Sequence, residues 1–247
     1  MELKENERID DLELNGLKII QNTDGFCFGM DSVLLSDFAK EIRNGSKVID
    51  LGTGTGILGI LLCGKTNLKK VYGIEIQKEV AEMASRSIKL NNLNDRFEII
   101  NDNMKNLDKY FEDGSIDAIV TNPPYKKPNS GLTNENKSKL ISRHEIEASL
   151  EDFIKISAKL LKNSGEFYMV HRPERLVDII ELMRKYKLEP KKLKMVSPKA
   201  NKEPNLILIK AVKNGKPFLK LEKNLYVYEE SGKYTKDILK IYGKEEN

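Results

Sequence analysis

The chain has 247 residues, of which 39% are apolar and 32% charged, and this length can close one sizeable hydrophobic core. Its two cysteines, Cys27 and Cys63, have no metal-type spacing, and its longest run without polar residues, Ile57 to Gly64, is too short to cross a bilayer. The charged N-terminal segment does not resemble a signal peptide. These features exclude a disulfide scaffold, a zinc ribbon and a membrane protein, and we expect a cytoplasmic monomer without a metal.

The N-terminal segment predicts a hairpin followed by a helix. Residues 12–21 are expected to form two short strands around Asn15-Gly16, a residue pair that favours a tight turn. Residues 31–41 have helical character, with Asp31 or Ser32 as the expected N-cap.

From residue 46 onward, short apolar runs alternate with amphipathic segments, which predicts strands alternating with helices. The expected strands cover 47–51, 70–76, 97–100, 116–121, 167–170, 192–196 and 205–212. The expected helices start at residue 57 and cover 77–92, 151–161 and 175–186. This order is typical of an α/β protein with a Rossmann-like, seven-stranded, mostly parallel sheet that has an antiparallel end. We expect one domain over 1–247, divided into a hairpin and helix (1–45), a core (46–212) and a C-terminal extension (213–247).

A glycine-rich loop follows the first strand of this sheet and precedes a helix. Its sequence, DLGTGTG at 50–56, lets a ligand approach the backbone closely at the carboxyl end of a parallel strand. Gly54, Gly56 and Gly59 also match G-x-G-x-x-G, and Glu75 lies about 20 residues further on, as a dinucleotide site requires. The loop alone therefore leaves a nicotinamide dinucleotide as an alternative.

Acidic residues stand where the early strands end. Asp50 and Glu75 lie at the ends of two expected strands, Asp102 follows a third, and Asp31 precedes the first of them. Together they would repel a pyrophosphate but attract the sulfonium and ammonium of S-adenosylmethionine, each unlike pair gaining about 1–4 kcal/mol. We expect Glu75 to accept the ribose hydroxyls and Asp102 to accept from the adenine amine. The alternative is that each acid is a helix cap or an exposed strand end.

A second motif, Asn-Pro-Pro-Tyr at 122–125, follows the fourth strand. Its two prolines fix the backbone, so the Asn122 side chain and the Pro123 carbonyl point in set directions. An amide oxygen and a carbonyl together can accept both hydrogens of a planar NH2 group, and Tyr125 offers a flat face for a base. After a glycine loop and acidic strand ends, this motif predicts a site for a target amine.

These motifs resemble the class I S-adenosylmethionine-dependent methyltransferases that modify exocyclic or amide nitrogens. The resemblance rests on DLGTGTG at 50–56, GIE at 73–75, Asp102 and NPPY at 122–125. The flanking segments resemble the tRNA1(Val) adenine-37 N6-methyltransferase group, and they are GFCFGMDSVLLSDF at 25–38, HRPERL at 171–176, SPKANKEPNLILI at 197–209 and YTKDIL at 234–239.

The resemblance implies roles for individual residues. It implies that S-adenosylmethionine is held by Asp50, Gly52, Gly54, Glu75, Asp102 and Asn122, and that Phe28 and Asp31 close over its methionine end. It implies that the catalytic residues Asn122, Pro123, Pro124 and Tyr125 hold the target amine. For Phe28, packing in the core is an equal alternative. We expect His171 to be a structural residue at a strand end or in a loop.

The charge distribution adds an RNA partner. Residues 121–247 carry an excess of Lys and Arg, whereas residues 1–120 carry an excess of acids. A basic surface attracts RNA, and a base leaves its stack most easily in a single-stranded loop. We expect tRNA contacts from the basic residues that follow the second motif and lie near the C-terminal strands, Lys126, Lys127, Lys191, Lys192 and Lys199. The alternative is a solvated, lysine-rich surface.

The favoured function is N6-methylation of an adenine in RNA, specifically in tRNA near the anticodon. Glutamine N5-methyltransferases share NPPY but usually carry a helical N-terminal domain, whereas the N-terminal segment here predicts a hairpin. A guanine N2-methyltransferase of ribosomal RNA, a DNA adenine methyltransferase and an NAD-dependent oxidoreductase are further enzyme alternatives. An inactive cofactor-binding protein associated with RNA is the alternative without catalysis.

Overall fold

The computed structural model describes residues 3–23, 29–125 and 148–244. Its strands are β1 (Glu7–Asp11), β2 (Lys18–Asn22), β3 (Lys47–Leu51), β4 (Lys70–Ile74), β5 (Phe97–Ile100), β6 (Ile116–Thr121), β7 (Leu161–His171), β8 (Leu188–Ser197), β9 (Leu206–Lys213), β10 (Lys220–Leu221) and β11 (Leu225–Tyr226). The helices are α1 (Met30–Phe38), α2 (Ile57–Lys65), α3 (Lys78–Leu90), α4 (Leu150–Leu160), α5 (Leu176–Lys185) and α6 (Lys236–Ile241).

The main sheet has the order β5-β4-β3-β6-β7-β9-β8, and the two-residue strands β10 and β11 both pair with β8. The pairs from β5 to β7 are parallel, whereas β9 is antiparallel to both β7 and β8. This confirms the expected α/β fold with a mostly parallel sheet and an antiparallel end. The sheet has two strands more than predicted, β10 and β11, because two-residue strands leave no periodic pattern in the sequence.

Helices cover both faces of the sheet, since buried parallel strands need apolar cover on each side. One face packs against apolar residues of α1, α2 and α3, such as Leu34, Leu61 and Ile88. The opposite face packs against α4 and α5, where Ile154 and Ile179 are fully buried. The glycine loop and the second motif therefore follow strands, β3 and β6, that are packed against helices on both faces of the sheet.

The N-terminal hairpin exists, but its first strand differs from the expectation. The turn at Asn15-Gly16 forms as predicted, with both residues at positive φ and Leu17 N–H donating to the Leu14 carbonyl at 2.9 Å. Glu13 also has a positive φ, so residues 12–14 leave the extended conformation and β1 lies earlier, at Glu7–Asp11. The first helix likewise begins at Met30 with Gly29 as N-cap, so neither Asp31 nor Ser32 caps it.

The C-terminal segment is built into the fold. β10 and β11 extend the edge of β8, and α6 contacts both α1 and β11. Ile238 of α6 is fully buried in the same cluster as α1 and α2. Within the described ranges, no helix is long and apolar enough to cross a membrane.

Candidate functional site

The predicted site residues leave the sheet at one edge, because parallel strands present their carboxyl ends side by side. Leu51 of β3 is in register with Ile74 of β4 and with Thr121 of β6, and Ile74 is in register with Ile100 of β5. The residues that follow these positions are the glycine loop, Glu75, Asp102 and Asn122. The topology thus brings together segments that are far apart in the sequence, in the crevice where α/β sheets bind ligands.

The glycine loop has a backbone that only glycine adopts without strain. Gly52, Gly54 and Gly56 have φ values of +72°, +55° and +84°. A Cβ at Gly54 would meet no atom within 4 Å, so open space lies beside the loop at this residue. Gly59, one turn into α2, lies so close to the Phe97 ring that a Cβ would approach it to 2.3 Å. The loop therefore combines a tight helix–strand contact with room for a ligand against its backbone.

Asp50 lies beneath this loop. Its side chain is 1% exposed and accepts a hydrogen bond from the Thr53 hydroxyl at 2.6 Å. Burial raises the pKa of Asp50 to about 7; hydrogen bonds from the Thr53 hydroxyl and the Gly59 amide lower this pKa, and the nearby Glu75 carboxylate raises it. Asp50 thus stabilises the loop through a buried hydrogen bond with Thr53. Its contact with a cofactor stays a prediction.

The raised pKa of Asp50 makes a testable contribution to stability. Between pH 4 and 7 the folded chain holds a proton on Asp50 that the unfolded chain releases, so this contribution is lost as pH rises toward 7. We expect the unfolding free energy of wild type, taken relative to that of Asp50→Asn, to fall by ~2–4 kcal/mol from pH 4 to pH 8. Denaturant titrations of both proteins at several pH values measure this difference, and parallel stability curves would contradict it.

The same comparison removes an opposing effect of His171. Burial lowers the pKa of His171 to about 4, so its contribution to stability is lost as pH falls below 6.5. Because His171 is present in both proteins, its contribution cancels in the difference.

Glu75 follows β4 and faces the glycine loop. Its side chain is 2% exposed, with Oε2 accepting from the Gly54 amide at 3.0 Å and Oε1 accepting from the Gln77 amide at 2.9 Å. Each carboxylate oxygen can accept a second hydrogen bond. Glu75 therefore fixes the loop and still has acceptor capacity beside the open space at Gly54.

Asp102 is held by its own turn. It accepts hydrogen bonds from the Asn106 side chain at 2.7 Å, from the Asn103 amide at 2.7 Å and from the Tyr110 hydroxyl at 3.0 Å. These hydrogen bonds, with that from Asn106 the strongest, lower the pKa of Asp102, and the Lys109 ammonium lowers it further. Its Oδ2 atom, with one of these donors, keeps acceptor capacity for a ligand amine.

The second motif forms a hydrogen-bonded cluster with α1. The Tyr125 hydroxyl lies 2.5 Å from Asp31 Oδ2 and 2.7 Å from Asn122 Oδ1, and Asn122 Nδ2 donates to Ser32 Oγ at 3.1 Å. Neither helical periodicity nor spacing indicates that Ser32 belongs to this cluster, since it lies 90 residues from Asn122. Asp31, implied by the resemblance to close over a cofactor, has Tyr125 as its partner here.

The ring of Tyr125 is covered on the side of β7. The Arg172 guanidinium lies 5.0 Å from the ring centroid, and the buried His171 ring packs edge-on at 5.2 Å. Burial raises the pKa of the Tyr125 phenol, and the Asp31 carboxylate raises it further. His171 is the last residue of β7, as expected for a structural residue at a strand end. In this conformation Arg172 and His171 occupy one side of the Tyr125 ring, so a base could not stack on that side.

Three of the predicted RNA-binding lysines, Lys191, Lys192 and Lys199, lie along β8 and in the loop after it. Lys191 Nζ donates to the carbonyls of Lys216 and Pro217, and Lys192 pairs with Glu41 at 2.5 Å. Lys199 lies beyond the end of β8, on the side of the sheet where β7 ends, and donates to the Glu230 carbonyl at 3.1 Å. Only Lys199 of these three therefore lies at the edge that carries the second motif.

Three of the predicted residues, Phe28, Lys126 and Lys127, lie outside the described residues. In the part of the chain that the structure describes, no group of three or more His, Cys, Asp or Glu side chains is arranged to hold a metal ion.

Residues 29–187 match the family model of the methyltransferase small domain. A tRNA1(Val) (adenine(37)-N6)-methyltransferase of Porphyromonas gingivalis is 31% identical over 185 residues, which cover 73% of this chain and 72% of that protein.

Solved structures show the same fold. A predicted O-methyltransferase, Atu636 of Agrobacterium tumefaciens, is similar with a TM-score of 0.70 and 21% identity, over 87% of this chain and 96% of that chain. TYW2 of M. jannaschii, solved in complex with AdoMet, has a TM-score of 0.57 and 17% identity, over 86% of this chain and 88% of that chain.

Proposed function

This chain belongs to the methyltransferase small domain family, and we propose that it transfers a methyl group from S-adenosylmethionine to N6 of an adenine in tRNA. The observation that carries the proposal is the position of the 122–125 motif directly after β6, beside the glycine loop that follows β3. The name of the Porphyromonas gingivalis relative supports adenine 37 of a valine tRNA as the target.

The residues at the crevice fit this cofactor. Gly54 leaves open space against its backbone, and the buried Glu75 carboxylate beside it offers acceptors for a ribose diol. The carboxylates of Glu75 and Asp102 favour a ligand with a cationic sulfonium and ammonium over one with a pyrophosphate. When bound, S-adenosylmethionine supplies an activated methyl group on its sulfonium.

The 122–125 motif would prepare the acceptor nitrogen. The lone pair of an adenine amine is delocalised into the ring, which makes the amine a weak nucleophile. Hydrogen bonds from this amine to Asn122 Oδ1 and the Pro123 carbonyl would favour tetrahedral geometry and localise the lone pair on nitrogen. Placement in line with the methyl group then supplies most of the rate, and the acidic product ammonium loses its proton without a strong base.

A transfer assay with three acceptors tests the proposal. Purified protein is incubated with S-adenosylmethionine labelled on its methyl group and with unmodified tRNA, a release factor or ribosomal RNA. We expect the label in N6-methyladenosine of tRNA. Label on a release-factor glutamine or on guanine N2 of ribosomal RNA would instead support the alternative methyltransferases, and no transfer to tRNA would contradict the proposal.

Salt dependence tests the RNA contacts. If lysines neutralise phosphates, the logarithm of the tRNA binding constant falls linearly with the logarithm of salt concentration, by about 0.7–0.9 for each contact. We expect Lys199→Gln to reduce this slope by about one such unit. Lys192→Gln is the matched control and should reduce it less, because Glu41 already pairs with that ammonium. Binding that does not change with salt would contradict an RNA role for these lysines.

A further inference from the structure

Four side chains form one hydrogen-bonded network between α1 and the end of β6. In order they are Ser32, Asn122, Tyr125 and Asp31, joined by contacts of 3.1, 2.7 and 2.5 Å. Ser32 is only 5% exposed and lies on the buried side of α1. This network therefore connects the atom proposed to bind the target amine, Asn122 Oδ1, to two residues of α1.

The number of hydroxyl protons in this network decides which atoms donate and which accept. Tyr125 has one hydroxyl proton but lies within hydrogen-bond distance of two acceptors, Asp31 Oδ2 and Asn122 Oδ1. The carboxylate is the stronger acceptor and makes the shorter contact, so it takes this proton. Asn122 Oδ1 is then left with the phenol oxygen beside it and without that proton, which makes Oδ1 an acceptor in need of a donor.

The other end of the Asn122 amide is occupied. Its NH2 group donates to Ser32 Oγ, so the amide presents its oxygen to Tyr125. Rotation of the amide by 180° would turn the NH2 group toward the Tyr125 oxygen and withdraw the acceptor. In the structure Ser32 Oγ accepts from the NH2 group, so its own proton points away from Asn122. A hydroxyl in this orientation opposes the rotation, because the rotated amide would bring two acceptors together.

We propose that Ser32 and Asp31 are positioning residues for Asn122: Ser32 holds the amide NH2 group, and Asp31 draws the Tyr125 proton away, so that Asn122 Oδ1 stays available to the target amine. This inference rests on the proposed function. The target amine then supplies the donor that Asn122 Oδ1 lacks. Asp31 in this arrangement acts through Tyr125, whereas the resemblance implies that it contacts the cofactor.

Ser32 is tested by substitutions that differ in the hydroxyl. We expect Ser32→Ala and the nearly isosteric Ser32→Cys, whose thiol is a weak acceptor, to lower kcat about fivefold to tenfold while KM and cofactor affinity stay unchanged. Ser32→Thr, which keeps the hydroxyl, should restore most of kcat. Ser36→Ala is the matched control, because Ser36 is a buried serine of the same helix whose hydroxyl donates to the Val33 carbonyl at 2.7 Å. Full activity of Ser32→Cys would overturn the role of Ser32.

A measurement without substrate keeps this test separate from the proposed function. The side-chain NH2 signals of Asn122, identified by their loss in Asn122→Ala, can be followed in NMR spectra of the labelled protein. We expect these signals to shift in Ser32→Cys and to stay in place in Ser36→Ala. If they stay in place in both variants, the contact with Ser32 does not hold the amide, whether or not tRNA is the substrate.

Asp31 is tested by a double-mutant cycle with Tyr125. If Asp31 acts through the hydroxyl, Asp31→Asn lowers kcat about tenfold in wild type but has little effect in Tyr125→Phe, where no hydroxyl remains. Cofactor affinity, measured by calorimetry, should be unchanged in Asp31→Asn. Equal effects of Asp31→Asn in both backgrounds, together with weakened cofactor binding, would assign Asp31 to the cofactor and overturn its positioning role.

Discussion

Replacing Asn122 with alanine is expected to lower the rate of methyl transfer by about 1000-fold or more, an effect as large as that of removing a transition-state hydrogen bond. Alanine removes the Oδ1 acceptor that would bind the target amine, whereas the glycine loop and Glu75, which are joined to each other and not to Asn122, would hold the cofactor. Cofactor binding should therefore remain measurable. Single-turnover transfer to tRNA measures the rate, and calorimetry measures the binding of S-adenosylmethionine.

Asn94→Ala is the control for this experiment. Asn94 is an exposed asparagine in the turn before β5, at the opposite edge of the sheet from Asn122. Its replacement should leave both the rate and the binding unchanged. Substantial transfer by Asn122→Ala would show that the 122–125 motif is not the site of the target amine.

Replacing Glu75 with glutamine should weaken the binding of S-adenosylmethionine by about 100-fold, because hydrogen bonds to charged groups contribute about 1.5–3 kcal/mol each. An amide in place of the carboxylate also turns a donor toward one of the amides of Gly54 and Gln77, which now donate to Glu75. The loop and the predicted ribose acceptor are therefore disturbed together. Calorimetry at pH 7 measures the dissociation constant.

Glu79→Gln is matched to this substitution. Glu79 is an exposed residue in the first turn of α3, two residues beyond Gln77, so its replacement removes the same charge from the surface. We expect no change in cofactor affinity. Equal affinities of wild type and Glu75→Gln would contradict the placement of the ribose at the end of β4.

The strand positions and the chemistry of the edge follow from local patterns in the sequence. Short apolar runs define β3 to β6, and the residues directly after them, such as Glu75 and Asn122, lie at one edge because the strands are parallel. The hairpin shows the limit of this approach. Its Asn15-Gly16 turn is encoded locally, but the positive φ of Glu13, which moves β1 to Glu7–Asp11, is not.

The contacts between distant elements could not be predicted in this way. Ser32 and Asp31 meet the 122–125 motif only because α1 packs against the sheet, and no spacing within α1 indicates this contact. Similarly, the single run of positive charge around β8 conceals that Lys192 is paired with Glu41, which lies 151 residues away. Patterns of charge predict which residues are basic, whereas tertiary packing decides which of them are available to a partner.

Mass spectrometry of tRNA nucleosides tests the central claim most directly. tRNA is isolated from the wild-type source organism, from a strain lacking this gene, and from that strain with wild type or Asn122→Ala restored. We predict that N6-methyladenosine disappears from one tRNA in the deletion strain and returns with the wild-type protein only. An unchanged set of methylated adenosines in the tRNA of the deletion strain would contradict the proposed activity.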